Sequence, residues 1–278
     1  MQRPSAWRHL LALVLTTSLA SVSPAAASVT LGQLSSAHGA CGSQSAFPAD
    51  LTQLSVTSGN SYRVPGNGAI TSWSHNAYLT STSVTMKVFR KVAEPNFYRA
   101  VGHDTRPVTG GLLNTFATSI PVQTGDLIGL NAPDLQTECT FGASPGDMIL
   151  SRGSSDLHDD EQASFTSGGG YRVNISAVFV PSNTAVVETP TRNKKKGTAT
   201  LNLTLPNPGQ LTASGKGLKV SPANTPVEAG AAQLLIEATG KKKHRFRHKG
   251  RVKLSAEITY VPTNGEPGVQ SVPVVLFK

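Results

Sequence analysis

Apolar and polar residues alternate with a period of two along much of this chain, and this alternation is what most limits its fold. In residues 198–205, TATLNLTL, every second residue is alanine or leucine, and residues 251–261, RVKLSAEITYV, repeat the pattern. Residues 171–180, YRVNISAVFV, alternate in the same way. Successive side chains of a β-strand point to opposite faces, so each run predicts a strand with one buried face. No segment after the N-terminal residues has a convincing helical period, and we therefore expect an all-β chain.

The length and the turn residues predict two sandwiches. The chain has 278 residues, 26 of them glycine and 18 proline, which suffices for about two domains with many turns. Short strands separated by such residues are typical of a sandwich or barrel. Residues 182–197, SNTAVVETPTRNKKKG, have no clean period and predict an exposed linker. We therefore divide the chain into a first sandwich at residues 28–182, a linker at residues 183–196 and a second domain at residues 197–278. The closely spaced strands of the second domain fit a small immunoglobulin-like sandwich.

The N-terminal residues 1–27 predict a cleaved signal peptide. Arg3 and Arg8 precede an apolar run that gives way to Pro24 and then to the alanines of residues 25–27. This order is that of a secretory signal with an A-x-A cleavage site. The apolar run is shorter than the roughly 20 residues that a membrane-spanning helix needs, and no later stretch is long enough. We therefore expect an extracellular or cell-surface protein without a transmembrane segment in the mature chain.

Export favours a disulfide between the two cysteines, Cys41 and Cys139. Thiols outside the cell meet oxidising conditions, and a lone pair in a secreted chain usually bonds to itself. Closing a loop over this 98-residue separation would stabilise the fold by roughly 4 to 5 kcal/mol in the chain-entropy model. Two cysteines are too few for a disulfide-rich scaffold, and no Cys/His cluster indicates zinc.

Positive charge is confined to the last third of the chain. Residues 28–189 hold 8 Lys/Arg and 12 Asp/Glu, whereas residues 190–278 hold 15 and 4. Such asymmetry suggests that the two parts meet different surroundings.

The densest basic stretch is KKKHRFRHKG at residues 241–250, between two predicted strands. We expect a folded loop in which Phe246 turns inward and Gly250 permits re-entry into the next strand. The basic side chains that this loop would hold outward are the candidate polyanion-binding residues Lys241, Lys242, Lys243, Arg245, Arg247, Lys249, Arg251 and Lys253.

Two interpretations of this charge stay open. The polyanions outside a cell are anionic wall polymers, acidic polysaccharides and lipid headgroups, and retention on them would be salt-sensitive. The alternative is a loop that is merely solvated. Nucleic acid is not expected as a partner, because the segment shows no helix to enter a groove and export separates the protein from cellular DNA.

The acidic stretch SSDLHDDEQ is a candidate calcium site. It places Asp156, Asp159, Asp160 and Glu161 within six residues, and calcium takes carboxylate oxygens from flexible loops. The stretch lacks the order of an EF-hand loop, so a solvated acidic loop is the alternative. No other cofactor is indicated.

Aromatic residues offer a second candidate site, for glycans. Trp73 and Tyr78 could stack on a sugar ring, although the strand-like setting of Trp73 in ITSWSHNAY also fits a core residue.

Motifs for catalysis are nearly absent. The chain has no H-E-x-x-H, no phosphate loop and no Cys-x-x-Cys pair. His103-Asp104 lies in a turn-like VGHDTRP, but adjacent residue types without geometry say little about a triad.

The segments ITSWS, IPVQTGDLIGL, RNKKKGTATLNLTLPNPGQLTASGKG and GKKKHRFRHKGRVKLSAEITYVPTNGEP together resemble those of secreted two-module β-sandwich proteins from high-GC actinobacteria of the Solirubrobacter type. The resemblance covers most of the mature chain and implies a jelly-roll-like module followed by a basic immunoglobulin-like module. It implies no catalytic residues. We therefore expect an exported, non-catalytic protein whose first sandwich recognises a glycan or a protein and whose second docks on anionic wall polymer. The alternatives are a secreted hydrolase of unknown type and a purely structural surface component; the oligomeric state is left open.

Overall fold

The computed structural model describes residues 28–34, 46–77, 83–134, 137–142, 144–154 and 156–278. These residues form 22 strands and one short helix, so the prediction of an all-β chain is confirmed. The predicted signal peptide, Cys41 and Tyr78 lie outside the described residues.

Thirteen strands form the first half of the fold. Their bounds are β1 Val29–Gln33, β2 Ala49–Ser55, β3 Gly68–Asn76, β4 Ser83–Ala93, β5 Phe97–Pro107, β6 Leu113–Val122, β7 Leu127–Ala132, β8 Thr140–Gly142, β9 Met148–Gly153, β10 Gln162–Ser164, β11 Thr166–Gly169, β12 Tyr171–Val173 and β13 Ile175–Pro181.

Two antiparallel sheets of these strands pack face to face. One has the order β1-β13-β3-β6 and the other β10-β5-β4-β7-β2-β9-β11, while β12 and β8 form a separate pair. Ile70 and Trp73 of the smaller sheet share one apolar cluster with Leu51, Met86 and Leu130 of the larger sheet. Because strands such as β4, β7 and β13 send alternate side chains into this cluster, the period of two seen in the sequence becomes a sandwich core.

The outer face of the seven-stranded sheet is covered by residues 156–161, which lead into its edge strand β10, and by Phe165 after that strand. Leu157 and Phe165 of this covering segment pack on Phe89, and they form a second apolar cluster. Beside this cluster, the buried Lys87 Nζ lies 3.1 Å from Asp50 Oδ1 and also pairs with Asp156. The ion pair and the apolar contacts together hold the segment on the sheet, since a buried ammonium needs a charged partner.

Nine strands and the helix form the second half. Their bounds are β14 Val186–Val187, β15 Thr191–Asn193, β16 Thr198–Leu205, β17 Gly209–Ser214, β18 Leu218–Ser221, β19 Asn224–Val227, β20 Gly230–Ala238, α1 Gly240–Lys249, β21 Arg251–Pro262 and β22 Gly268–Phe277.

A second sandwich is built from these strands. One sheet has the order β14-β16-β20-β18, with β15 also paired to β16, and the other has the order β19-β17-β21-β22. Leu201 and Ile236 of the first sheet share a cluster with Leu254 and Ile258 of the second. The stretch predicted as a linker, residues 183–196, contains the short strands β14 and β15, and both pair with β16 of the second sandwich.

Two asparagines join the sandwiches. Asn67 N donates to Asn207 Oδ1 over 2.6 Å, and Asn207 Nδ2 donates back to Asn67 O over 2.8 Å. Asn207 Nδ2 also donates to Ser182 O over 3.1 Å, and Asn67 Nδ2 donates to Pro206 O over 2.7 Å. Asn207 is buried, so these hydrogen bonds fix the contact between the two halves.

Candidate polyanion-binding site

The basic stretch at residues 240–249 is the helix α1, and the prediction of a loop there is wrong. Lysine and arginine are good helix formers, and the basic residues of the last turn lie at the negative end of the helix dipole. Gly250 ends the helix in the left-handed conformation with a φ of 65°, and its N–H donates to Phe246 O over 2.9 Å. The prediction that Gly250 permits the re-entry into β21 is therefore confirmed, as a helix C-cap.

Phe246 anchors α1 to the second sandwich. Its side chain is 7% exposed and belongs to the apolar cluster between the two sheets, so its predicted inward direction is confirmed. The ring lies directly over Gly197: a Cβ added at that glycine would come within 2.4 Å of Phe246 Cε1. Phe246 is the one buried residue of the helix, and the remaining side chains of α1 are left towards solvent.

A groove between α1 and β21 brings five of the predicted basic residues together. We call it the basic groove; its volume is about 440 Å³ and its lining is Lys242, Arg245, Lys249, Arg251, Val252 and Lys253. The three residues of α1 follow the spacing i, i+3 and i+7, which places them on one helix face, and the other cations come from β21. Lys242 Nζ donates to Lys253 O over 3.2 Å across the groove. Among the described residues, no carboxylate lines it.

The other three predicted residues lie elsewhere on the helix. Lys243 and Arg247 line a smaller cavity of about 310 Å³ on the Phe246 side, where Glu237 is also present, and Lys241 lines neither cavity. Within the described part of the chain, none of the eight predicted basic side chains forms an ion pair with a carboxylate. The positive charge of the groove is therefore not neutralised by the second sandwich itself.

A larger cleft, of about 1070 Å³, lies beside the junction of the two sandwiches. Its lining includes Thr71, Arg90, Arg99, Gln123 and Ser182. The Arg90 guanidinium donates two hydrogen bonds of 2.8 Å to the buried Asp126 carboxylate, which raises the pKa of Arg90. Sequence reasoning missed this cleft, because its lining residues come from strands far apart in the chain and share no motif.

Trp73, the one predicted glycan residue that the structure describes, does not line this cleft. Trp73 is 1% exposed, its ring centroid lies 4.8 Å from that of Phe116, and its Nε1 donates to Asp104 Oδ2 over 2.8 Å. A ring buried in this way offers no face to a sugar, so Trp73 is a core residue. Tyr78 lies outside the described residues.

The predicted calcium ligands point to different partners. Asp156 pairs with Lys87, Asp159 Oδ2 lies 2.9 Å from His103 Nδ1, and Glu161 accepts from His158 N over 2.9 Å. Among the residues that the structure describes, no group of three or more His, Cys, Asp or Glu side chains could hold a metal ion. The candidate calcium site is thus not formed by Asp156, Asp159, Asp160 and Glu161 in this structure.

His103 and Asp104 do not form a catalytic pair. They are neighbours on β5 and point to opposite faces of the strand: His103 contacts Asp159, whereas Asp104 accepts from Trp73 and from Arg106 Nε over 2.9 Å.

Two buried groups lie in the first core. His75 Nδ1 lies 2.8 Å from Asn174 O, and burial lowers the pKa of His75 to about 4. Cys139 is fully buried, and no free cysteine occurs among the described residues. Its predicted bond to Cys41 stays a prediction, because Cys41 is outside the described ranges.

No helix in the described ranges is long and apolar enough to cross a membrane. Comparisons of this chain with protein-family models, with curated proteins and with solved structures find no match.

Proposed function

We propose that this chain is an exported, non-catalytic binding protein of the cell surface or extracellular medium that docks on an anionic wall polymer or acidic polysaccharide through the basic groove. The observation that carries the proposal is the convergence of five cations, three from α1 and two from β21, on one groove without a carboxylate in its described lining.

Counterion release makes such a groove suited to a linear polyanion. Each phosphate or carboxylate that contacts a lysine or arginine releases condensed counterions, and this gain favours binding at low salt. Phe246 determines which face of α1 packs on the sandwich, and Gly250 determines where the helix ends. The cations of the helix and of the strand are therefore held beside each other before the polymer binds.

For the first sandwich we propose a jelly-roll-like fold that recognises a glycan or a protein. The support is the cleft of about 1070 Å³ at the junction, where Thr71, Gln123 and Ser182 supply hydrogen-bonding groups and Arg99 supplies a guanidinium.

For the second sandwich we propose an immunoglobulin-like fold. Its support is that β16, β20 and β18 are neighbours in one sheet while β17, β21 and β22 are neighbours in the other.

The test of docking is binding of the full chain to poly(glycerol phosphate) in 0.1 M NaCl. The groove variant Lys242→Gln/Arg245→Gln/Lys249→Gln should bind at least about tenfold more weakly than the unaltered chain, because three of the five cations are removed. The matched control is Lys194→Gln/Lys195→Gln/Lys196→Gln, which removes the same charge from exposed residues outside the groove. The control should lose clearly less affinity.

Three outcomes would contradict the proposal. Equal losses in both triple variants would mean that net charge alone attracts the polymer. No binding by the unaltered chain would leave the second sandwich as a structural spacer. The helical nature of α1 removes one reason for excluding nucleic acid, so duplex DNA is included as a competitor, and tighter binding to DNA would also count against a wall polymer.

A further inference from the structure

His244 and His248 lie one turn apart on the solvent face of α1. Both side chains are exposed, their ring centroids are 4.3 Å apart and their Nε2 atoms are 3.1 Å apart. Phe246 lies two residues from each of them and points into the core, so the two imidazoles are on the opposite side of the helix. Neither histidine lines the basic groove.

The distance between the two Nε2 atoms matches the distance between two nitrogen ligands of a single metal ion. Transition metals bind imidazole nitrogen at about 2.0 to 2.1 Å, so two nitrogens at octahedral or tetrahedral angles lie about 2.9 to 3.4 Å apart. The 3.1 Å between the Nε2 atoms falls in this range. Positions i and i+4 of a helix have Cβ atoms about 5 to 6 Å apart, so the backbone itself keeps both rings within reach of one ion.

We propose that His244 and His248 form a two-ligand site for a borderline transition-metal ion of the Zn²⁺, Ni²⁺ or Cu²⁺ class. Imidazole is a preferred ligand of these ions, whereas calcium and magnesium require oxygen ligands. The protein supplies two ligands, so water or an external donor completes the coordination shell. A bound ion would link two successive turns of α1 and stabilise the helix against unfolding.

Positive charge surrounds both this site and the basic groove, so it opposes binding of a metal cation here and favours binding of a polyanion there. Lys241, Arg245 and Arg247 are the near neighbours of the two histidines along α1, and their positive charge repels a divalent cation. Salt screens this repulsion. Metal binding is therefore expected to become tighter as NaCl is raised, whereas binding of a polyanion becomes weaker, and the two sites can be tested independently.

The experiment is calorimetric titration of the full chain, prepared without an affinity tag, with NiCl₂ at pH 7.5 in 0.1 and 0.5 M NaCl. We expect one ion per chain at the helix, and an affinity that falls roughly tenfold or more in His244→Gln and in His248→Gln, because each loses the chelate effect. His158→Gln is the matched control, since His158 is also exposed, and it should bind like the unaltered chain.

Glutamine is at least as good a helix former as histidine, so far-ultraviolet circular dichroism should confirm that α1 persists in both variants. No binding by the unaltered chain, unchanged affinity in both helix variants, or binding that weakens between 0.1 and 0.5 M NaCl would each overturn the proposal.

Discussion

Replacing Phe246 with alanine tests whether one ring holds α1 on the second sandwich. The ring is 7% exposed, it belongs to the second sandwich's apolar cluster, and it covers Gly197. Truncation of a buried phenylalanine to alanine destabilises a protein by about 3 to 5 kcal/mol. Because this ring lies at the edge of the cluster, we expect about 3 kcal/mol in Phe246→Ala.

Urea unfolding followed by two probes measures this loss and locates it. Far-ultraviolet circular dichroism reports all strands, whereas the fluorescence of Trp73 reports the first core, since the second sandwich contains no tryptophan. With a slope near 2 kcal/mol per molar urea, a loss of 3 kcal/mol lowers the transition midpoint by about 1.5 M. We expect this shift in the circular dichroism transition, which includes the strands of the second sandwich, and a smaller one in Trp73 fluorescence.

The matched control is Phe277→Ala in the same sandwich. Phe277 is only partly buried, and the Arg192 and Arg251 guanidinium carbons lie 5.4 and 5.1 Å from its ring centroid. Losing these exposed cation–π contacts costs about 1 kcal/mol in total. A loss below 1 kcal/mol in Phe246→Ala, or one no larger than in Phe277→Ala, would refute the anchoring role of Phe246.

Three further predictions concern the junction, the first core and the cysteines. Asn207→Ala should lower the free energy of unfolding by about 3 kcal/mol, because it leaves the backbone of Asn67 without its buried partners, and a loss under 1 kcal/mol in urea unfolding would contradict this. His75 should stay neutral down to about pH 4 in NMR titration of its Cε1 proton. Since an unfolded histidine has a pKa near 6.5, the stability that neutral His75 contributes is fully present above pH 6.5, and about 3 kcal/mol is lost as the pH falls to 4; titration near 6.5 would argue against this. Cys41 and Cys139 should resist alkylation in unreduced protein unfolded in urea, where burial no longer protects Cys139, and two alkylated thiols in the mass spectrum would exclude the predicted disulfide.

Strands such as β16 and β21 could be predicted from the sequence because each has one buried face. In β16 and β21 apolar residues occupy alternate positions, and the same positions are buried in the structure. The helix could not be predicted by that criterion, because Phe246 is its one buried residue and a single apolar residue defines no period. The structure of α1 instead depends on the tertiary contact of Phe246 and on the left-handed Gly250.

The candidate site was partly predictable for a related reason. The charge distribution along the sequence predicted all five cations of the basic groove among its eight candidates. Which of the eight lie on one face became clear only once residues 240–249 were known to form a helix. Each residue of α1 is rotated by about 100° from the one before, which separates Lys243 and Arg247 from Lys242 and Arg245. The junction cleft was not predictable, since its shape depends on how distant strands approach one another.

The salt dependence of poly(glycerol phosphate) binding tests the docking proposal most directly. Five groove cations predict a slope of about −3.5 in a plot of log affinity against log salt concentration, and the two that remain in Lys242→Gln/Arg245→Gln/Lys249→Gln predict about −1.4. Between 50 and 200 mM NaCl the affinity should therefore fall about 100-fold in the unaltered chain and about sevenfold in the variant. Binding indifferent to salt, or a variant that keeps the slope of the unaltered chain, would contradict docking through the basic groove.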